Sequence, residues 1–281
     1  MTSSVAIERQ GPVGLVTLNR PERHNAFDDA LIAELTEAFR SMEAEDGIRC
    51  VVLSSVGKSF SAGADLNWMR RVAGASLDEN KRDAMALAAL MRTLAELRKP
   101  TVARVQGPAY GGGVGLVACC DVAVATVNAT FALTEAKLGL VPSVISPYVV
   151  AAIGPRLARR YFLTAETIEA ADAWRMGLVH EIAQDDADLD EKVGNIVDSL
   201  LACGPAAHAE CKSLIRFVAG RTVTGELIQD TAERIARIRS SPEGLEGVAA
   251  FLEKRRAAWL PPEPEPVPEP EPDPEPPHGG A

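Results

Sequence analysis

The stretch VQGPAYGGGVGLVACCDVAVA, residues 105–125, decides the fold class. Residues 101–105 read as a short apolar strand. Gly107-Pro108-Ala109-Tyr110 and the run Gly111-Gly112-Gly113 form a loop. An apolar helix follows, ends near Cys120, and gives way to a second strand at 122–126. Strand, glycine loop, helix and strand in succession are the grammar of a layered α/β fold. Amides at such a helix start have no partner within the helix, and glycine lets a ligand approach them closely.

Working outward, the same arrangement occurs a second time. Residues 50–54 read as a buried strand and 57–65 (GKSFSAGAD) as a second glycine- and alanine-rich loop, with a helix over 66–71. Two such loops side by side would aim two N–H donors at one oxygen, an oxyanion hole suited to a thioester carbonyl becoming an enolate. Glycine-rich turns also serve simply as tight connections, and neither loop matches the phosphate-binding GxxxxGK[ST] or a clean GxGxxG. A third feature is Glu135 in FALTEAKLGLVP (131–142), at the edge of apolar sequence. A carboxylate there is suited to acid–base work if its pKa is raised, and equally to a helix start or surface.

Elsewhere, strands are expected at 5–9, 13–19 and 130–133, and helices at 28–45 and 80–98, with 74–78 a mobile connection. Separate helices are expected at 146–153, 155–163 and 168–176, then a turn and strand over 177–182. Residues 1–260 read as one α/β domain whose C-terminal part, about 188–260, is helical. Residues 261–281 hold ten prolines and six acidic residues without Lys or Arg, and are expected to be a disordered, extended acidic tail.

The net charge of −10 argues against nucleic acid or an anionic membrane as partner. Six of those charges lie in the tail, which leaves the domain room for a basic patch. No span of 18 or more apolar residues and no signal peptide is read, so a cytoplasmic location is expected. The five cysteines include no CxxC pair and are expected to be reduced and mostly buried. No metal-ligand cluster is visible.

The motifs LNRPERHNAF (18–27), SFSAGADL (59–66), residues 105–125 and 131–142, and the later GLVHEI resemble those of the enoyl-CoA hydratase/isomerase (crotonase) superfamily. The resemblance spans about residues 5–258. It implies a ClpP/crotonase-like spiral of ββα units with a helical C-terminal trimerisation region, assembled as a homotrimer or a dimer of trimers. It implies an acyl-CoA thioester as substrate, with no cofactor beyond the CoA carried by that substrate.

The family's oxyanion hole falls on the amides of Ala64 and Gly112, and one of its two hydratase glutamates on Glu135. The second falls on Gly115, which has no carboxylate. Family dehalogenases and some thioester hydrolases carry an aspartate where this chain has Ser143, which counts against both activities. The resemblance places CoA along Arg23, His24 and Ala26, along the backbone of Ala62, Asp65 and Leu66, and beside Gly111. It places Phe251 and Lys254 at a neighbouring subunit's CoA, and His180 in a structural strand. Trp68, Met69, Ser143, Ser146 and Tyr148 are expected to line the acyl pocket.

The stretch 143–148 departs from the glycine-rich GAGGT-like run of most members and is similar to the methylglutaconyl-CoA or carboxygeranoyl-CoA hydratase-like branch. Arg70, Arg71 and Arg82 then become candidate partners for a distal carboxylate, or else a solvated helix face. The expected function is enoyl-CoA hydration with a single glutamate as acid and base, and the sharper expectation is a 3-methyl-branched substrate such as 3-methylglutaconyl-CoA. The alternatives are an enoyl-CoA Δ3–Δ2 isomerase and a non-catalytic CoA-binding or interaction protein.

Overall fold

A computed structural model describes residues 3–260. The chain opens with an antiparallel hairpin, β1 (Val5–Gln10) and β2 (Val13–Leu18), joined at Gly11 in the left-handed region. Helix α1 (Asp29–Ala44) starts where the Asp28 carboxylate accepts the Leu31 amide at 2.9 Å. Its buried face carries Leu31, Leu35, Ala38, Phe39 and Met42. Strand β3 (Cys50–Ser55), helices α2 (Leu66–Ala73) and α3 (Leu77–Glu96), and strand β4 (Thr101–Val105) follow.

Next come β5 (Ala109–Tyr110), α4 (Gly112–Cys119), β6 (Val122–Thr126) and β7 (Thr130–Ala132). The second half contains α5 (Ser146–Thr164), β8 (Ile168–Glu169), α6 (Ala170–Arg175) and β9 (Glu181–Ala183). Four helices finish the described chain: α7 (Asp186–Leu201), α8 (Pro205–Val218), α9 (Gly225–Arg239) and α10 (Pro242–Glu253).

The main sheet has the order β1-β2-β3-β4-β6-β9, parallel from β2 onward. Both its faces are covered. Phe39, Leu53, Phe60, Leu94 and Leu116 belong to one core. Cys50, Val52, Val102 and Val124 pack with Leu189, Val193 and Val197 of α7 in the other. Strand β3 therefore opens with four buried apolar residues in succession, without alternation, as a parallel strand covered on both faces does. A smaller sheet, β5-β7-β8, lies beside the glycine loop.

Several boundaries move from the sequence expectation. Helix α3 begins at Leu77, inside the segment expected to be a mobile connection, because Ser76 and Glu79 form a reciprocal capping box. Within the span of α5 the two helices expected on either side of residue 154 are both present, separated by a kink at Gly154, whose φ of 74° is not helical. Residues 168–169 pair with β7 as a strand before helix α6 begins. The last helix ends at Glu253, where Lys254 takes a left-handed cap. Cys50, Cys119 and Cys120 are buried, while Cys203 and Cys211 are exposed. No helix among the described residues is long and apolar enough to cross a membrane. The expectation for 261–281 lies outside the described residues.

Candidate active site

Three segments are laced together by backbone bonds. The Phe27 amide donates to Gly63 O at 2.7 Å and the Asp65 amide to Phe27 O at 2.8 Å. The Tyr110 amide donates to Ser61 O at 2.8 Å, and the Gly111 amide to Ala132 O at 2.9 Å. These bonds tie the loop after β3 to the loop before α4, and that loop to β7, which leads into the turn bearing Glu135. Among the described residues, the amides of Ala64 and Gly112 donate to no protein oxygen.

Gly111 sits where the segments meet, with φ of 50°. A Cβ there would lie 3.2 Å from Glu135 Oε1 and 3.9 Å from Gly63 Cα. A side chain would therefore be strained and would crowd the carboxylate. The two free amides belong to the residues immediately after Gly63 and Gly111. The structure thus brings together Ala64, Gly112 and Glu135, the three positions that sequence reasoning had placed apart in the chain.

Glu135 is half-buried in a short 3₁₀ turn, Thr134–Leu138, and its Oε2 is buried without a hydrogen-bond partner. Burial pushes its carboxyl above the usual range, only partly opposed by a bond from its own amide. A carboxyl so placed exchanges a proton closer to neutrality. The buried thiols differ in kind: burial pushes Cys50 and Cys120 up to about 12, which leaves no thiolate for nucleophilic attack.

The loop before α1 is held by a residue that sequence reasoning missed. Asn25 is fully buried in a left-handed conformation. Its side chain accepts from the Arg20 amide at 2.8 Å and donates to Val56 O and Ser59 O at 2.9 Å each. Its own carbonyl accepts from Ser61 Oγ at 2.8 Å. An asparagine in a loop rich in Pro and Arg is the available signal, since Asn tolerates this conformation best after Gly.

The other expected residues fall into separate groups. Arg23 is exposed, 3.5 Å from the buried Asp65, which itself caps α2 by accepting the Asn67 and Trp68 amides. His24 is exposed with Nδ1 at 3.1 Å from Ser59 Oγ, and Ala26 is buried. Ala62 is exposed, and Leu66 is 68% exposed beside the loop. Trp68 and Met69 are half-buried, and Trp68 lines a groove with Asp29, Ile32, Thr36, Asp83 and Ala86 of α1 and α3.

Ser146 Oγ donates to Ser143 O at 2.7 Å, with Ser143 exposed and Tyr148 half-buried. Arg70 bonds Asn67 and Arg71 pairs with Asp29 on the surface, so these two have local partners. Arg82 lines a shallow surface hollow with Asp78, Lys81 and Met85. Phe251, 81% exposed, and exposed Lys254 belong to the C-terminal helical segment. His180 Nδ1 accepts the Ala123 amide at 3.0 Å, a structural bond. Among the described residues, no group of three or more His, Cys, Asp or Glu is placed to hold a metal ion.

Gly115 explains its own lack of a side chain. A Cβ there would lie 2.3 Å from Ile145 Cγ2 and 3.1 Å from Met91 Cε. The position is filled by hydrocarbon from two other elements.

Two free amides next to a half-buried carboxyl with one unpartnered oxygen suit the chemistry of a polarised carbonyl with one proton-transfer group. The layered fold that carries them is that of the crotonase-like α/β enzymes. The enoyl-CoA hydratase/isomerase family model matches residues 8–261, and the chain belongs to that family of enzymes. The chain is similar to an enoyl-CoA hydratase structure from Shewanella pealeana: 42% identity, TM-score 0.89, covering 91% of this chain and 96% of that one. It is 35% identical to an enoyl-CoA hydratase of Alternaria alternata over 89% of this chain and 81% of that protein. It is 29% identical to a crotonyl-CoA hydratase of Syntrophomonas wolfei over 92% of this chain and 98% of that protein.

Proposed function

We propose that the protein is an enoyl-CoA hydratase that works with a single glutamate. The observation that carries this reading is the meeting of the amides of Ala64 and Gly112 with Glu135 around Gly111. The thioester oxygen sits between the two amides, where the charge of the developing enolate is stabilised. Each such donor is worth about 3 kcal/mol of barrier. Glu135 takes a proton from water as the oxygen bonds to C3, and a proton passes from its carboxyl to C2. Water is consumed, the double bond is lost, and Glu135 ends ionised as it began.

In this reading CoA enters as part of the substrate and runs past Arg23, His24, Ala26 and the backbone at Ala62, Asp65 and Leu66. The exposure of Phe251 and Lys254 supports their meeting CoA across a subunit boundary in a trimer or dimer of trimers. A 3-methyl-branched acyl group such as 3-methylglutaconyl is the substrate class we favour. Any carboxylate on it would compete with Asp29 for Arg71, because that pair is already formed.

The test is hydration of crotonyl-CoA, 3-methylcrotonyl-CoA and 3-methylglutaconyl-CoA, followed by loss of enoyl absorbance, with Glu135→Gln alongside. Turnover of one of them that falls by at least about 100-fold in the variant supports the reading. A second reading is a Δ3–Δ2 isomerase, which needs one proton shuttle and no water. The hydrocarbon packed against Gly115 favours it, since no second carboxylate can stand there. Turnover of 3-enoyl-CoA without hydration would decide for it. CoA binding without either reaction would decide for a non-catalytic protein.

A further inference from the structure

The two free amides come from different loops, and one buried residue touches both. Phe27, 2% exposed, forms a parallel bridge with Ala64. Its amide donates to Gly63 O at 2.7 Å, and its carbonyl accepts the Asp65 amide at 2.8 Å. Successive amides of an extended segment point to opposite edges. Bonding the residues on either side of Ala64 to Phe27 therefore turns the Ala64 N–H away from Phe27. The ring of Phe27 meets the other loop. A Cβ at Gly112 would lie 3.1 Å from its Cε2, 3.3 Å from Cδ2 and 3.5 Å from Cζ. Phe27 is itself fixed from both sides along the chain. Two residues before it, the buried Asn25 side chain bonds the Arg20 amide, Val56 O and Ser59 O. Immediately after it, Asp28 caps α1 and pairs with the buried Arg20 at 2.7 Å.

We infer that Phe27 is a positioning residue: it stands between the two loops and sets the separation of the Ala64 and Gly112 amides. The inference rests on the acyl-CoA reading above. Two donors stabilise one oxygen only when both lie about 2.7–3.1 Å from it. The Phe27 backbone fixes the direction of the first donor, and its ring limits how closely the second loop approaches. The loops also meet directly, through the Tyr110 amide on Ser61 O and through Gly63 against Tyr110 O. Those contacts hold residues that precede each free amide, whereas the ring stands against Gly112 itself. Removing the ring leaves the backbone bridge to Ala64 in place and lets Gly112 shift relative to it.

The test reads the thioester carbonyl, which a change in stability alone does not move. Butyryl-CoA, isotopically labelled at the carbonyl carbon, binds without turning over, and its C=O stretch falls as two donors polarise it. Infrared difference spectra of the labelled and unlabelled compound are recorded on wild type, Phe27→Leu, Phe27→Met and Phe39→Leu. Values of kcat and KM are measured on the enoyl-CoA that the wild type turns over. Phe39 is fully buried in the same core, about 18 Å further along α1. Wild type is expected to lower the carbonyl stretch on binding, and both Phe27 variants to keep only part of that lowering. Their kcat is expected to fall about ten-fold or more with KM within about two-fold, short of the roughly 100–1,000-fold cost of losing a donor outright. Phe39→Leu is expected to match wild type in both readings. Should Phe27→Leu not fold, Phe27→Met carries the same test. A full carbonyl shift in the folded Phe27 variants, or an equal loss in Phe39→Leu, overturns the role of Phe27 while the acyl-CoA reading stands. A wild-type protein that fails to bind butyryl-CoA, or binds it without lowering the stretch, overturns both.

Discussion

At the scale of single residues, the site carries a cost that is measurable apart from activity. Glu135 is held partly out of water with Oε2 unpartnered, and its carboxyl is raised by burial. A carboxyl raised in the folded state binds its proton more tightly there than in the unfolded chain. Its ionisation therefore removes stability as pH rises from the ordinary glutamate range through the raised folded value. Below that window both states are protonated and nothing is lost. Glu135→Gln is expected to be more stable than wild type at pH 7 by urea unfolding, with the advantage vanishing at pH 4. Wild-type kcat/KM is expected to fall on the acid side at a pH above the ordinary glutamate range, as the base becomes protonated. An equal stability difference at both pH values would show that burial of the charge is not what separates them. The neighbouring position behaves oppositely. Gly115→Glu would drive its Cβ to 2.3 Å from Ile145 Cγ2 and bury a carboxylate among apolar groups. Overpacking alone costs about 1–3 kcal/mol, and the unpaired acid adds to it. We expect a lower Tm and no gain in hydration rate. A folded variant with raised rate would show that Ile145 moves aside.

At the scale of elements, the parts of the site that follow one another closely in the chain were legible. The two glycine loops were readable because each combines an apolar strand, small residues and a helix start within one short stretch. Helix α1 was legible from its apolar spacing and Asp28. The start of α3 was also written locally, as Ser76 followed by Glu79, yet the glycine just before it suggested a flexible connection. The filling of Gly115 was not legible, because Ile145 and Met91 come from two other elements and only packing joins them. Strand β8 was lost for a similar reason: two residues become a strand only by pairing with β7. Helix α2 shows how local signals reach the site. Asp65 follows the free Ala64 amide, accepts two α2 amides, and faces Arg23 at 3.5 Å. Asp65→Ala is expected to destabilise α2 by about 1 kcal/mol through loss of the cap. Amide exchange over residues 66–73 should accelerate several-fold while β3 remains protected. Uniform acceleration across both would place the role of Asp65 in global stability instead.

At the scale of the molecule, the C-terminal helices are attached to the sheet by a few polar anchors as well as by packing. Arg49, at the entrance to β3, donates to Trp259 O at 2.6 Å, Leu201 O at 3.0 Å and Cys203 O at 2.6 Å. Lys212 of α8 is buried, with Nζ at 2.6 Å from Asp121 Oδ2 and 3.0 Å from Lys99 O. The two ends of this pair are unequal. Asp121 is 31% exposed at its side chain and keeps two bonds from Thr101, at 2.8 and 2.9 Å, whatever happens to the lysine. Lys212 is only 9% exposed, and among the described residues no other carboxylate is bonded to it. Removing the lysine leaves a carboxylate that is solvated and bonded. Neutralising the aspartate leaves a buried ammonium without its countercharge. Breaking a fully buried pair costs about 3–5 kcal/mol. Asp121→Asn should approach the lower end of that range, and Lys212→Met should cost about 1–2 kcal/mol, because the methionine stem keeps the packing. Urea unfolding of the two variants tests the asymmetry. The reverse order would mean that α8 is held by the lysine's contact with Lys99 O and its apolar stem, and that the charge on Asp121 serves β6 and β4 alone.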